Sequence, residues 1–389
     1  MCNSKRSISA FIAALLLGAP GSGQCLFEDP PPPPQQFGGG GGPYASRNGW
    51  HLPTTGTLRL LVVLVEQDGA AGSADWPAHQ LPIWVNNPDP NVNLFDHEVP
   101  MGTATGLLTR YYQDASSGHF NVLADYLLAP DNGGIFHTSG TSVTSVISTV
   151  NAVLGTNIVT AHGFNSVNDF DKWETSTAAT GAGLPKILGA EPGGVYDHVM
   201  FIYRTSGWSN NNGFASPSGL PIALLGHQAN TYSFFYSHQF IPIDIMRHEF
   251  GHLLYGANNF HTGGGGWAGN GYGEYFLTLG TGWSNMGLAN ASLNSWNAWD
   301  RQRMGWYGAT DGVDNAYLVS ARDANNTAEV NGDLDASLPG GAGIYTLRDF
   351  VGTGDAIRIK LPFTNPSTEY PEFLWVENHQ GRAQWQPVR

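Results

Sequence analysis

The feature that most constrains this chain is the stretch Ile245-Met246-Arg247-His248-Glu249-Phe250-Gly251-His252-Leu253-Leu254-Tyr255, which carries His-Glu-x-x-His. On an α-helix, residues four apart lie one above the other, so His248 and His252 can turn imidazole nitrogens toward one zinc ion. Glu249 then stands beside the metal rather than on it. That is the place of a general base taking a proton from a water whose pKa the metal lowers to about 7. The flanks predict a helix. Pro242 suits a first turn, Ile245, Phe250, Leu253 and Leu254 supply an apolar side, and Gly256 can end it in a left-handed cap. The bland alternative is an accidental pentapeptide on a buried helix.

A zinc site of this kind needs a third protein ligand and an open fourth position. The first histidine downstream is His261, which a short loop after Gly256 can bring under the helix. The competing donor is Glu274, in Gly271-Tyr272-Gly273-Glu274-Tyr275. The expected ligands are therefore His248, His252 and His261, with Glu249 as base.

Residues 1–24 read as a secretory signal: Lys5 and Arg6 precede the apolar run Ile8 to Leu17, and small residues continue through Gly23. The run is short for a membrane span, so cleavage and a secreted, extracellular protein are expected. Losing Lys5 and Arg6 lowers the formal net charge of −14 by two units, to about −16. Such a chain does not bind nucleic acid through its net field, nor cling to anionic lipid. Only 12% of residues are charged, whereas Gly, Asn, Ser, Thr and aromatics are plentiful, the kind of surface that extracellular proteins carry. Of the two cysteines Cys2 leaves with the signal, so no intramolecular disulfide can form in what remains. A lipid anchor at Cys25 is the alternative to a freely secreted form, although Gly23-Gln24 ahead of it fits the small-residue requirement poorly.

Residues 25–43 form a spacer, with Pro30 to Pro34 stiff and Gly38 to Gly42 flexible, and neither part can bury a core. Residues 44–306 are expected to be one α/β (α+β) domain. Leu58 to Val65 and Tyr196 to Tyr203 read as strands buried on both faces, and His119 to Leu128 as another. Thr103 to Gln113 and Ser142 to Val153 show helical spacing, and a long Asn/Gly/Ser loop leads into the helix of the motif. Residues 307–389 read as a β-rich, sandwich-like module of short strands at Ala316 to Val319, Gly343 to Leu347, Ala356 to Leu361 and Phe373 to Val376. Asp323 to Asp335 is acidic enough to hold calcium, but its spacing is that of no known loop, and a solvated turn is the competing reading.

Several segments together carry a resemblance. They are Tyr111-Tyr112-Gln113-Asp114-Ala115-Ser116-Ser117-Gly118, the motif helix, Trp283-Ser284-Asn285-Met286-Gly287, Ala298 to Trp306, and Glu372-Phe373-Leu374-Trp375-Val376-Glu377-Asn378. The chain resembles the secreted metallopeptidases of the immune inhibitor A type, which are metzincin-like. The resemblance implies a zinc endopeptidase acting on protein or peptide, with Met286 in a turn beneath the metal. One departure stands out. Where the metzincin pattern has its third histidine and its glycine, this chain has Asn258 and Tyr255. Tyr255, Tyr272 and Tyr275 are the candidates to assist at an oxyanion. A non-catalytic extracellular binding protein on the same scaffold, or a zinc hydrolase of glycans or esters, are the alternative functions.

Overall fold

The computed structural model describes residues 51–155, 169–174, 187–188, 194–205, 212–237, 243–254, 296–306, 317, 319–335, 337–338, 342–364 and 371–380. The signal segment, the spacer and Cys25 lie outside them.

Strand β1 (Gly56–Gln67) is the axis of the larger sheet. It runs parallel to β2 (Phe120–Leu127) along its first half and to β3 (Phe136–Thr138) at its end. After a separate ladder of β4 (Trp173–Glu174) and β5 (Ile187–Leu188), strand β6 (Tyr196–Arg204) pairs parallel with the other side of β1. Side chains alternate across a strand, and β1 uses both sets. Leu58, Leu60, Val62 and Leu64 enter one core, and Leu61, Val63 and Val65 the other. Helix α1 (Leu107–Ala115) covers the first face and α2 (Val143–Leu154) the second.

Two expectations change. Helical spacing from Thr103 predicts an earlier start to α1 than Leu107. The cause is Asp96, whose carboxylate accepts the N–H groups of Thr105 (2.8 Å) and Gly106 (2.9 Å) and holds that corner out of the helix. Gly106 is needed there, because a Cβ would fall 2.5 Å from the carbonyl carbon of Phe95. The second change concerns the long loop expected before the motif. It contains β7 (Asn212–Ser216) and β8 (Ala229–Ser237), with β8 parallel to β6 and β7 antiparallel at the edge. Neighbouring Phe234 and Phe235 of β8 fill opposite cores, which makes a strand of a stretch whose surroundings are polar and glycine-rich. The sheet order is β2-β1-β6-β8-β7.

The motif forms helix α3 (Ile243–Leu254) on the face of α1, and α4 (Ala298–Met304) follows. The C-terminal region is β-rich, as expected. The sheet β10-β9-β12 comprises β9 (Ser320–Asp323), β10 (Glu329–Asn331) and β12 (Tyr345–Thr346). The sheet β11-β13-β14 comprises β11 (Asp333–Asp335), β13 (Ala356–Thr364) and β14 (Pro371–Glu377). The first of these strands begins at Ser320, after the expected Ala316 to Val319, of which Ala316 and Leu318 lie outside the described residues. The region docks through α4, where the Glu377 carboxylate accepts the Ala298 N–H at 2.6 Å and so satisfies a donor that a helix start leaves open. Arg301, buried, reaches the carbonyls of Asp114 and Val351 from the same helix, each at 3.3 Å.

Substituting Gly106→Ala forces Phe95 and Asp96 apart, at an expected cost of about 1–3 kcal/mol in urea unfolding. A variant as stable as the parent would show that the Asp96 corner can relax.

Candidate functional site

Helix α3 is seated by its apolar side. Met246, Phe250, Leu253 and Leu254 are buried in the core shared with Leu60, Met200, Ile202 and Phe235. These positions recur at three- and four-residue intervals, so they define one face. Helical geometry puts positions 248 and 252 one turn apart on another face of the helix. The Tyr111 to Gly118 segment fixes the helix from the side. The Tyr112 ring meets Phe250 at 5.3 Å, and the Arg247 guanidinium lies over Tyr111 at 4.6 Å. Ser117 and Gly118 take positive φ angles of 55° and 83° to turn the chain from α1 into β2. Trp296 and Trp306 join the same core, their rings 4.6 Å apart.

Beneath Phe250 lies His198 of β6, fully buried, its ring edge-on to Phe250 at 5.5 Å. Thr231 donates its hydroxyl to the Asp197 carbonyl, so it accepts from His198 Nδ1–H at 2.8 Å, and Ser233 then donates to Nε2 at 2.8 Å. Burial pushes this imidazole down to about 3, so it is neutral at physiological pH and adds no charge under the helix.

Glu249 is half-buried between α3 and the edge strand β7. Burial raises its carboxyl to about 8, and a backbone hydrogen bond from Ala215 of β7 opposes that shift only in part. No cationic side chain among the described residues contributes to holding it ionised. A carboxyl placed this way would be held ionised by a divalent cation bound at the two histidine positions one turn apart beside it. His248, Glu249 and His252 therefore share one helix as the sequence predicts. His261, Glu274, Met286, Tyr255, Tyr272 and Tyr275 lie outside the described residues.

The acidic stretch proposed for calcium is engaged otherwise. Asp333 pairs with Arg358, Asp335 with Lys360 at 3.1 Å and with Ser337, and Asp323 accepts both the N–H and the hydroxyl of Thr327 at 2.6 Å. Among the described residues it gathers no metal-holding group. The structure instead brings together Glu66, His79 and His137, with one ligand atom from each lying within 4.8 Å of the others. No motif spacing announces this group. Its only sequence signals are a carboxylate ending a buried apolar strand and two histidines in a chain that has 13. No described helix is long and apolar enough to cross a membrane.

His198 yields a pH prediction. Its value of 6.5 in an unfolded chain drops to about 3 on folding, so between those limits the unfolded state binds the extra proton. Stability conferred by the neutral ring is complete above pH 6.5 and falls with acidification, by up to about 1.4 kcal/mol per pH unit. His198→Gln should lose stability at neutral pH yet show a shallower decline between pH 6 and pH 4, read by urea unfolding at each pH. Parallel declines would mean that the ring is not held neutral. No family model matches this chain, and no curated protein matches it either.

Proposed function

We propose that the chain is a secreted zinc-dependent endopeptidase of the immune inhibitor A-like, metzincin-like kind. The observation that carries the reading is the Glu249 carboxyl, half-buried with no cationic side chain among the described residues to hold it ionised, on a helix with histidine positions one turn apart. His248 and His252 hold the metal, with His261 as third ligand. Zinc bound there supplies Lewis acidity toward a water and toward the scissile carbonyl.

Glu249 accepts the proton of the attacking water at its carboxylate and returns it to the nitrogen of the leaving amine. Burial makes this carboxylate a stronger base than one in water, and a neighbouring divalent cation restores its ionised form near neutral pH. Edge strand β7 supports a peptide substrate over a glycan. Strand β8 pairs with one of its sides, and among the described residues no strand pairs with the other, whose main-chain groups an extended peptide can match and a sugar cannot.

Casein cleavage and zinc content measured together test the assignment. Glu249→Gln should lower kcat by at least about 10²-fold while leaving zinc content unchanged. Equal activity in the variant and the parent would remove Glu249 from the chemistry. Metal without activity in either would favour the binding-protein alternative.

A further inference from the structure

We propose that Glu66, His79 and His137 form a second metal site, for a zinc-class divalent transition ion that ties the loop after β1 to the carboxyl end of the sheet. The site stands independently of the reading of the motif helix.

Its floor is set by strand register. Glu66 of β1 lies directly between His137 of β3 and Arg204 of β6, three residues in one row across three parallel strands. Glu66 is fully buried, and its two oxygens have different duties. Oε2 takes the buried Arg204 guanidinium and the main-chain N–H of His79 at 3.0 Å. Oε1 is buried and without a protein hydrogen-bond partner, and so is Nε2 of His137. Within one cluster these two buried atoms are both left to a partner other than the described residues. The Nδ1 of His79 is 3.6 Å from Oε1, beyond a hydrogen bond. The two imidazoles are 4.9 Å apart, their planes 32° from parallel.

The loop is brought there by contacts that need no metal. Gly133 approaches so closely that a Cβ on it would sit 2.3 Å from the carbonyl oxygen of His79, and Gly134 packs on Leu81. His79 itself adopts a left-handed φ of 58°, a conformation few non-glycine residues take but histidine more readily than most. Zinc bonds of about 2.0–2.2 Å place tetrahedral ligands roughly 3.4 Å apart, so ligand atoms that lie within 4.8 Å of one another must close by up to about 1.4 Å. The His79 side chain, 68% exposed, is free to make that movement, whereas the sheet residues are not.

Donor chemistry selects the ion. Two imidazole nitrogens and one carboxylate oxygen suit zinc and its neighbours, not calcium or magnesium, which take oxygen. Arg204 cancels the charge of Glu66, so attraction between bare charges is small and binding must come from the imidazoles. The exposed side of His79 leaves room for water as fourth ligand.

The experiment strips the full secreted chain with a chelator, reloads it with zinc, and measures zinc content and Tm. The forms compared are the parent, His79→Asn, His248→Ala and the double variant. Asn tolerates the left-handed backbone at position 79, so the fold is preserved. Expected are two zinc ions in the parent, one in each single variant and none in the double. In His248→Ala, zinc at about a hundredfold excess over Kd should raise Tm by roughly 3–4 °C, and the double variant should lose that rise. The proposal is overturned if His79→Asn holds as much zinc as the parent, if His248→Ala holds none, or if its binding needs millimolar zinc. A parent with a single zinc, lost in His79→Asn and kept in His248→Ala, would support this site while removing the one on α3.

Discussion

Because β1 runs parallel to β2, β3 and β6, hairpins cannot join these strands, and the chain between them has to cross over one face of the sheet or the other. The connection from β1 to β2 carries α1 on one face, and that from β3 to β6 carries α2 on the opposite face. Burial on both sides requires apolar residues at consecutive positions, which Leu60 to Val65 supply. The other strands of the larger sheet and the helices on its faces take their places from that strand. Its even-numbered side chains build the surface on which α3 rests, and its last turn of sheet places Glu66 beside its neighbours.

The seating of α3 makes the candidate site a product of packing rather than of the motif alone. With Met246, Phe250, Leu253 and Leu254 fixed in the core, rotation of the helix about its axis is not free. A rotation that moved residues 248 and 252 would also lift Phe250 from Tyr112 and His198, exposing aromatic surface on two elements. The neutral His198 matters here, since a protonated ring at the same place would be a buried charge with hydroxyls alone for partners.

Much of this was legible in the sequence where apolar pattern and length agreed. Strands β1, β2 and β6, helix α2 and the motif helix fall within a residue or two of where periodicity puts them. The start of α1 was not legible, because it is set by the carboxylate of Asp96, a residue distant from the helical pattern. Strands β7 and β8 were hidden by composition. Asn, Gly and Ser around Tyr232, Phe234, Phe235 and Tyr236 look like a loop until the partner strands are known, and an edge strand such as β7 carries little apolar signal of its own. Of the site, the three residues four apart or adjacent on one helix announce themselves. Glu66, His79 and His137 meet only through strand register and a glycine contact, neither of which leaves a spacing in the chain.

Arg301 ties the two ends of the molecule in a way that bears on how it unfolds. Its guanidinium stacks 4.6 Å over Phe350, donates to the carbonyl of Val351 on the C-terminal side, and donates to the carbonyl closing α1 on the other. Parting these regions would strand a buried cation against apolar surface and leave the start of α4 without its Glu377 acceptor. The β-rich region is thus held against the α/β region by buried contacts of one short helix, and parting the two costs both of them hydrogen bonds.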